Sequence, residues 1–433
     1  MRGGADAGGQ LLGGSEAARL AAAVGVRSPG GGGDSRHGPD QRRIRTPGTV
    51  DFCGRGRGCV PGRRRRLRAV APGNPGAAGV GGNPRGSVVS EVAVVVPVRN
   101  GRRTVPQCLE GLLRQSLRPQ VIYVVDNGST DGTHEWLQEF AVREPSLRVL
   151  REARRGPAAA RNAGIRAAMA EGAPEFIAFT DADCVAEPSW LERLREGFED
   201  DRVGAVTGRI RPRVEDTWVG RYLQITAFDP GRQDRMASSV DLAEGIAGGN
   251  ACVRTCALEE VGPFDESFLV AQDWDLGLRL LKAGWWIRYA SGAVVDHIHW
   301  ERTAGDLLRL AAKYGCGRPR ILARHFSGQI SVWGFGRRVR VHGPVTASVL
   351  LSSPEKVVGA LCAVALSRPW ALGLAVLYAA YLGVRIWSAG RRRAVRGLRL
   401  WEVPAMVALQ VAEAAVGNGQ AFRVGLRRGV LCL

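Results

Sequence analysis

At 433 residues with a formal net charge of +19 and a pI near 10.6, the chain can bury a large core, and its basicity suits nucleic acid or an anionic membrane surface. The charge is uneven, which argues against nucleic acid binding by the chain as a whole: residues 1–85 hold 15 arginines, no lysine and 5 acidic residues, a balance of +10. The nine cysteines contain no C-x-x-C pair, which argues against a disulfide scaffold or a zinc site and for a reducing compartment.

Residues 1–87 read as a disordered extension. Of the 58 glycines, 22 lie in the first 85 residues, beside an arginine run at Arg63–Arg66, and no apolar period persists. Such a composition cannot offset its ordering entropy. The glycine density is also wrong for an amphipathic targeting helix.

A folded pattern begins abruptly and is assigned to residues 88–302. Val92–Asn100 reads as a buried strand ended by Pro97, and Thr104–Gln115 as a helix. Val121–Asp126 is a second strand, followed by an Asn-Gly-Ser turn and a helix over His134–Val142. Leu147–Leu150 is a third strand, and Gly156–Ala170 a loop and helix leading to the buried strand Phe176–Thr180. Strands alternating with helices at this spacing predict an α/β domain with a mostly parallel, Rossmann-like sheet.

The strand Phe176–Thr180 ends in Asp181 and Asp183. Oxygen ligands at the carboxyl end of a buried strand suit a hard divalent ion, Mg²⁺ or Mn²⁺, with a nucleoside diphosphate as its companion. The alternative is that the pair caps a helix starting near Glu187–Leu191. Asp126 either accepts hydrogen bonds from a base or ribose or simply forms the turn. Arg161 either sits near phosphates or is a surface arginine. Asp273 and Asp275 open a helix over Leu276–Lys282, where the dipole favours carboxylates whether or not one is a general base. No histidine lies between His134 and His297, so a carboxylate is the simplest base.

Four of these segments occur in one order: Val94–Asn100, Val125–Thr133, Gly156–Gly164 and Thr180–Asp183. Together they resemble family 2 glycosyltransferases of GT-A fold, and the resemblance continues through Gly248–Asn250, Gly262–Phe268 and Gln272–Leu276. It implies transfer of a sugar, with inversion, from a UDP- or GDP-sugar to a hydroxyl of a lipid-linked or glycan acceptor. It further implies Asp273 as catalytic base and Asp183 as the main metal ligand. Pro97, Asn100, Asp126, Arg161 and Asp181 would line the nucleotide site. Some members use a histidine as a further ligand, and the distance from Asp273 suits His297 better than His299. Where the family usually carries Glu or Asp before the base, this chain has Gln272.

Residues 303–343 form a basic linker, and 344–433 an apolar, membrane-associated region. Pro369–Val384 is uncharged, with Trp370, Tyr378, Tyr381 and Trp387 in or beside it. Val345–Leu366 and Val403–Phe422 are weaker spans. Arginine clusters at 337–340 and 391–393 suggest a hairpin of Val345–Leu366 with Pro369–Trp387, which would keep the catalytic domain on the cytoplasmic side of the cell membrane. Two rivals are a nucleotidyltransferase of related fold and a non-catalytic membrane scaffold. The first should carry a glycine-rich loop after the first strand, where Pro97–Arg103 has a single glycine. The second is disfavoured by intact Asp183 and Asp273.

Overall fold

The computed structural model describes residues 91–227, 233–241, 244–326, 330–334, 337–342, 354–365, 368, 370–428 and 430–432. The extension over 1–87 lies outside the described residues.

Valine-rich β1 (Val92–Val98) is the hub of the domain and is buried nearly throughout. It pairs in parallel with β2 (Val121–Asp126) on one side and β4 (Phe176–Thr180) on the other, and β3 (Leu147–Arg151) adds in parallel to β2. Pro97 does not end β1; it pairs with Val125. The ladder to β4 stops at Val95–Phe179, so a missing N–H at Pro97 breaks no bond on that side.

Beyond β4 the sheet turns mixed. Its order is β3-β2-β1-β4-β8-β6-β9-β5, with β5 Cys184–Ala186, β6 Val203–Arg213, β8 Asn250–Arg254 and β9 Trp286–Ile298, while β7 (Arg235–Ala237) pairs β9 off this path. β8 runs antiparallel to both β4 and β6. This reversal is absent from the sequence expectation, because antiparallel pairing leaves no crossover helix to recognise.

Helices cover both faces. Helix α1 (Val105–Leu113) buries Val105, Cys108, Leu109 and Leu112 at helical spacing, in one core with Val92, Val94, Val96 and Trp190 of α4 (Trp190–Glu196). On that side α2 (Thr133–Arg143) also buries Leu137. The opposite face holds α3 (Pro157–Ala170), α6 (Thr255–Val261) and α7 (Gln272–Lys282) over Val95, Val125, Ile177 and Phe179.

A third core attaches the C-terminal helices. Val219, Tyr222 and Ile225 of α5 (Trp218–Thr226) and Leu307 of α8 (Ala304–Gly315) pack against Ile386 of α11 (Trp370–Arg392) and Met406 and Leu409 of α12 (Val403–Arg427). Buried Glu402 binds Arg221, and Tyr222 donates to Glu413. Helix α9 (Gly317–His325) follows α8, and α10 (Pro354–Ala365) precedes α11.

Among the described residues, two helices are long and apolar enough to cross a membrane, Trp370–Arg392 and Leu400–Arg427. The first agrees with the expected span Pro369–Trp387, and the second contains Val403–Phe422. Residues 345–353 and 366 of the expected first span lie outside the described residues, and α10 is its described part. Trp370, Leu372, Val376, Leu377 and Val384 of α11 are exposed.

Helix α3 lies so close to β1 that a Cβ on Gly164 would stand 2.4 Å from Val95 Cγ1. Gly164→Ala would gain about 1 kcal/mol of helix propensity. Overpacking costs about 1–3 kcal/mol, so the clash is expected to win. The expected outcome is a lower thermal unfolding midpoint; an unchanged or raised midpoint would show that α3 can move off the sheet.

Candidate functional site

The candidate residues gather at the carboxyl ends of β1, β2 and β4. Asp126 ends β2 with its side chain almost wholly buried. Its Oδ1 accepts from the Ser129 N–H at 3.0 Å, which is the turn role. Its Oδ2 has no hydrogen-bond partner among the described residues, lying 3.6 Å from His134 Nδ1 and 3.8 Å from Arg151 Nε. A buried carboxylate oxygen without a donor is costly unless a ligand supplies one.

Asn100 and Pro97 stand beside this position on β1 and the loop that follows it. Asn100 has φ 52°, donates its N–H to Ser129 Oγ and accepts from the Thr130 N–H at 2.8 Å. It therefore ties the first loop to the second. Asn127, not singled out from sequence, does the same further on, donating to the Glu152 and Arg154 carbonyls and accepting from Gly156 N–H.

Asp181 and Asp183 do not cap a helix, because β5 intervenes before α4. Arg161 is no surface arginine: it is 2% exposed, and its Nη2 is 2.5 Å from Asp181 Oδ1. Its Nε and Nη1 are buried without a hydrogen-bond partner among the described residues, the guanidinium lying 5.5 Å from the Phe264 ring centre.

Asp183 faces His297 instead. The β5–β9 register sets Cys184 opposite His297, which brings His297 Nε2 to 3.6 Å from Asp183 Oδ1. Burial raises the Asp183 carboxyl above its ordinary value; His297 works against this and Asp181 with it. That is a carboxylate short of positive charge. Ligand atoms of Asp183, Cys184 and His297 all lie within 4.8 Å of one another. Burial pushes the Cys184 thiol well up, so Asp183 and His297 are the better donors for a hard divalent ion, and they fit one. The His299 ring leans edge-on against His297, and its Nδ1 is 3.2 Å from Glu301.

The opposite wall is α7, which begins at Gln272, so both aspartates lie within its first turn. They differ sharply in surroundings. Asp273 Oδ2 accepts from the Gly248 N–H at 2.8 Å and remains partly accessible. Asp275 is fully buried and engaged by His325 Nε2 at 2.8 Å, Arg279 Nε at 2.8 Å and Arg324 Nε at 3.1 Å. It joins α7 to α9 and is closed to an acceptor.

The turn Gly248-Gly249 draws these pieces together. A Cβ on Gly248 would lie 2.9 Å from Arg161 Nη2 and 3.2 Å from Asp273 Oδ2, and one on Gly249 would lie 3.0 Å from Asp181 Oδ2. Asn250 anchors the turn. Fully buried, it accepts from Trp190 Nε1 and donates to the Arg209 and Ala293 carbonyls. Tyr314 of α8 also belongs here. The residue is 56% exposed, yet desolvation at the hydroxyl, aided by the charges of Asp181, Asp183, Asp273 and Glu301, pushes that hydroxyl up to about 12. No sequence pattern flagged Tyr314, because only the fold returns α8 to the site.

The profile of Glycosyl transferase family 2 matches residues 93–262. The Pre-mycofactocin glycosyltransferase of Mycobacterium tuberculosis is 32% identical over 247 residues, 56% of this chain and 50% of that protein. Glycosyltransferase AglE of Haloferax volcanii is 30% identical over 255 residues, 58% of this chain and 77% of that protein. Among solved structures, mannosyltransferase PcManGT from Pyrobaculum calidifontis, in complex with GDP-Man and Mn²⁺, is 21% identical with a TM-score of 0.46, covering 77% of this chain and 88% of that one. The chain belongs to glycosyl transferase family 2, and its mostly parallel mixed sheet is a GT-A fold. It spans half the length of the pre-mycofactocin glycosyltransferases it matches.

The Asp275 cluster yields a prediction. Burial alone would raise its carboxyl, but the hydrogen bonds from His325 and Arg279 and the charges of Arg279 and Arg324 outweigh that and hold it below the ordinary 3.8. A depressed folded value stabilises above the unfolded value, and this stability is lost as pH falls through the folded value. Asp275→Ala is expected to cost about 1–3 kcal/mol at neutral pH, since it removes the buried acceptor that His325 and Arg279 share. In denaturant unfolding the difference from wild type should close at acid pH; a variant as stable as wild type at pH 7 would show that the cluster holds nothing together.

Proposed function

We propose that this chain is a membrane-associated glycosyltransferase that moves a sugar from a UDP- or GDP-sugar to an acceptor hydroxyl with inversion. The observation that carries the reading is the gathering of Asp181, Arg161 and Asp273 around the Gly248-Gly249 turn, with Asp183 beside Asp181 in sequence and, at the end of β2, a buried Asp126 oxygen that lacks a donor among the described residues. Family membership supports it.

In this reading Asp126 Oδ2 accepts an N–H from the nucleobase, and the loops tied by Asn100 shape that pocket. Asp183 and His297 would hold a Mg²⁺ or Mn²⁺ ion, with Asp181 beside them. When bound, the ion neutralises the diphosphate leaving group. Arg161 compensates Asp181 and keeps the second carboxylate from repelling the donor. Asp273, aimed by the Gly248 N–H, takes the acceptor proton as the hydroxyl attacks the anomeric carbon. A base within reach of that proton is worth about 10²–10⁴-fold in rate.

The apolar helices α11 and α12 favour a membrane setting. Arg391, Arg392, Arg393 and Arg396 lie between their apolar stretches, and Arg393 donates to the Gln224 and Ala227 carbonyls beside α5. That cluster sits on the catalytic domain, which the positive-inside rule assigns to the cytoplasmic side.

Two measurements test the reading. Calorimetric titration of UDP and GDP in the presence of Mn²⁺ is expected to show binding that EDTA or Asp183→Ala removes; equal affinity in either case would sink the metal role. Asp273→Asn keeps size and hydrogen bonding but cannot take a proton. Transfer should fall by about 10²–10⁴-fold while donor affinity stays within about twofold. Unchanged transfer would remove Asp273 from the chemistry, and lost donor binding would make it a structural or metal-binding group.

A further inference from the structure

Asp183, Cys184 and His297 are brought together by two strands. In the β5–β9 ladder Cys184 lies directly opposite His297, so the two side chains leave the sheet on the same face. Asp183 immediately precedes β5, and its backbone carbonyl accepts from the Ile298 N–H at 2.8 Å, which fixes it beside the same pair. One donor atom from each residue lies within 4.8 Å of the other two. His297 Nε2 stands 3.6 Å from Asp183 Oδ1, and Cys184 Sγ stands 3.9 Å from it.

These spacings suit a tetrahedral ion. With bonds to sulfur, nitrogen and oxygen of about 2.0–2.3 Å, neighbouring donors around such an ion stand about 3.3–3.6 Å apart. The two separations from Asp183 Oδ1 are within a few tenths of an ångström of that spacing. The donor set is also mixed, with a carboxylate, an imidazole and a thiol. Mg²⁺ takes oxygen ligands in octahedral geometry, whereas Zn²⁺ accepts all three donor types in a tetrahedron.

A second thiol nearby is placed differently. Cys108 Sγ donates to the Asp181 carbonyl at 3.4 Å and stands outside the three-donor group. Cys184 Sγ instead reaches toward the Gly248-Gly249 turn. A Cβ on Gly249 would lie 3.5 Å from Cys184 Sγ and 3.0 Å from Asp181 Oδ2, so glycine there leaves the approach between thiol and carboxylate open. Packing accounts for a small apolar side chain at position 184, since it is buried in the core. Packing does not call for a sulfur set against both a carboxylate and an imidazole.

We propose that Cys184 is a third protein ligand of the metal site, and that Asp183, Cys184 and His297 together select Zn²⁺ over Mg²⁺. The inference rests on the assignment of Asp183 and His297 as metal ligands above. When the ion binds, the sulfur–hydrogen bond of Cys184 breaks, a sulfur–metal bond forms and the proton passes to solvent. Three protein donors leave a coordination position for a substrate oxygen. The ion preference of this chain is then set by the residue that follows its second aspartate.

The test uses the full chain with metal ions alone and no nucleotide. Co²⁺, a spectroscopic substitute for Zn²⁺, is expected to give a thiolate-to-metal charge-transfer band with wild type. Cys184→Ser should abolish the band and weaken Zn²⁺ binding in calorimetry by at least about tenfold, with Mg²⁺ affinity held within about twofold. Cys108→Ala should keep the band. Circular dichroism checks that each variant is folded; should Cys184→Ser fail to fold, a wild-type band lost in both Asp183→Ala and His297→Ala still places a sulfur ligand in this site. No band with wild type, a band that survives Cys184→Ser, or equal loss of Zn²⁺ and Mg²⁺ affinity would overturn the proposal. Asp183→Ala separates the two assignments. If it binds Co²⁺ as wild type does, the metal site itself is wrong and this inference falls with it; if it loses Co²⁺ while Cys184→Ser keeps the band, only the role of Cys184 fails.

Discussion

The Gly248-Gly249 turn is the constraint on which the site depends. Its backbone passes between the Arg161–Asp181 ion pair and Asp273, where a single added carbon on either glycine would stand about 3 Å from a charged side chain. Its amide hydrogen is what orients Asp273. The turn is fixed from below by Asn250, whose amide satisfies carbonyls on β6 and just before Val294 of β9, and whose oxygen receives the Trp190 indole. A buried polar hub of this kind is worthwhile only when every group is partnered, and here Thr207 completes it by donating to the Asn250 carbonyl.

Two aspartates two residues apart on α7 illustrate how environment assigns roles. Both begin the helix, where the dipole favours negative charge. Asp275 points into a cluster of His325, Arg279 and Arg324 and so fastens α9 to the site. Asp273 points to the turn and keeps an accessible carboxylate. The charge balance across the metal-binding candidates follows the same logic. Arg161 pairs with Asp181, while Asp183 faces His297 and is raised by burial.

The C-terminal helices are part of the same body. Arg221–Glu402, Tyr222–Glu413 and the close approach of Gly315 to Gly417 hold α12 along α5 and α8. The apolar face of α11 stays exposed, with Trp370, Leu372, Val376 and Leu377 on the surface.

The sequence by itself determined the first half of the sheet. Buried runs such as Val92–Val96 and Phe176–Thr180, separated by amphipathic helices, leave little choice of register or order, since local pattern and parallel crossover agree. It also placed Asp126, Asp181 and Asp183 at strand ends, because a short strand and the turn after it are local events. Only the tertiary structure decided the rest. The antiparallel insertion of β8 between β4 and β6, the pairing that sets Cys184 opposite His297, and the return of Tyr314 all join residues far apart in the chain. Arg161 as a buried partner of Asp181, and Asp275 rather than Asp273 as the tied carboxylate, were likewise invisible. A side chain's charge can be read from its letter, but its partner and its desolvation are set by the packing of distant elements.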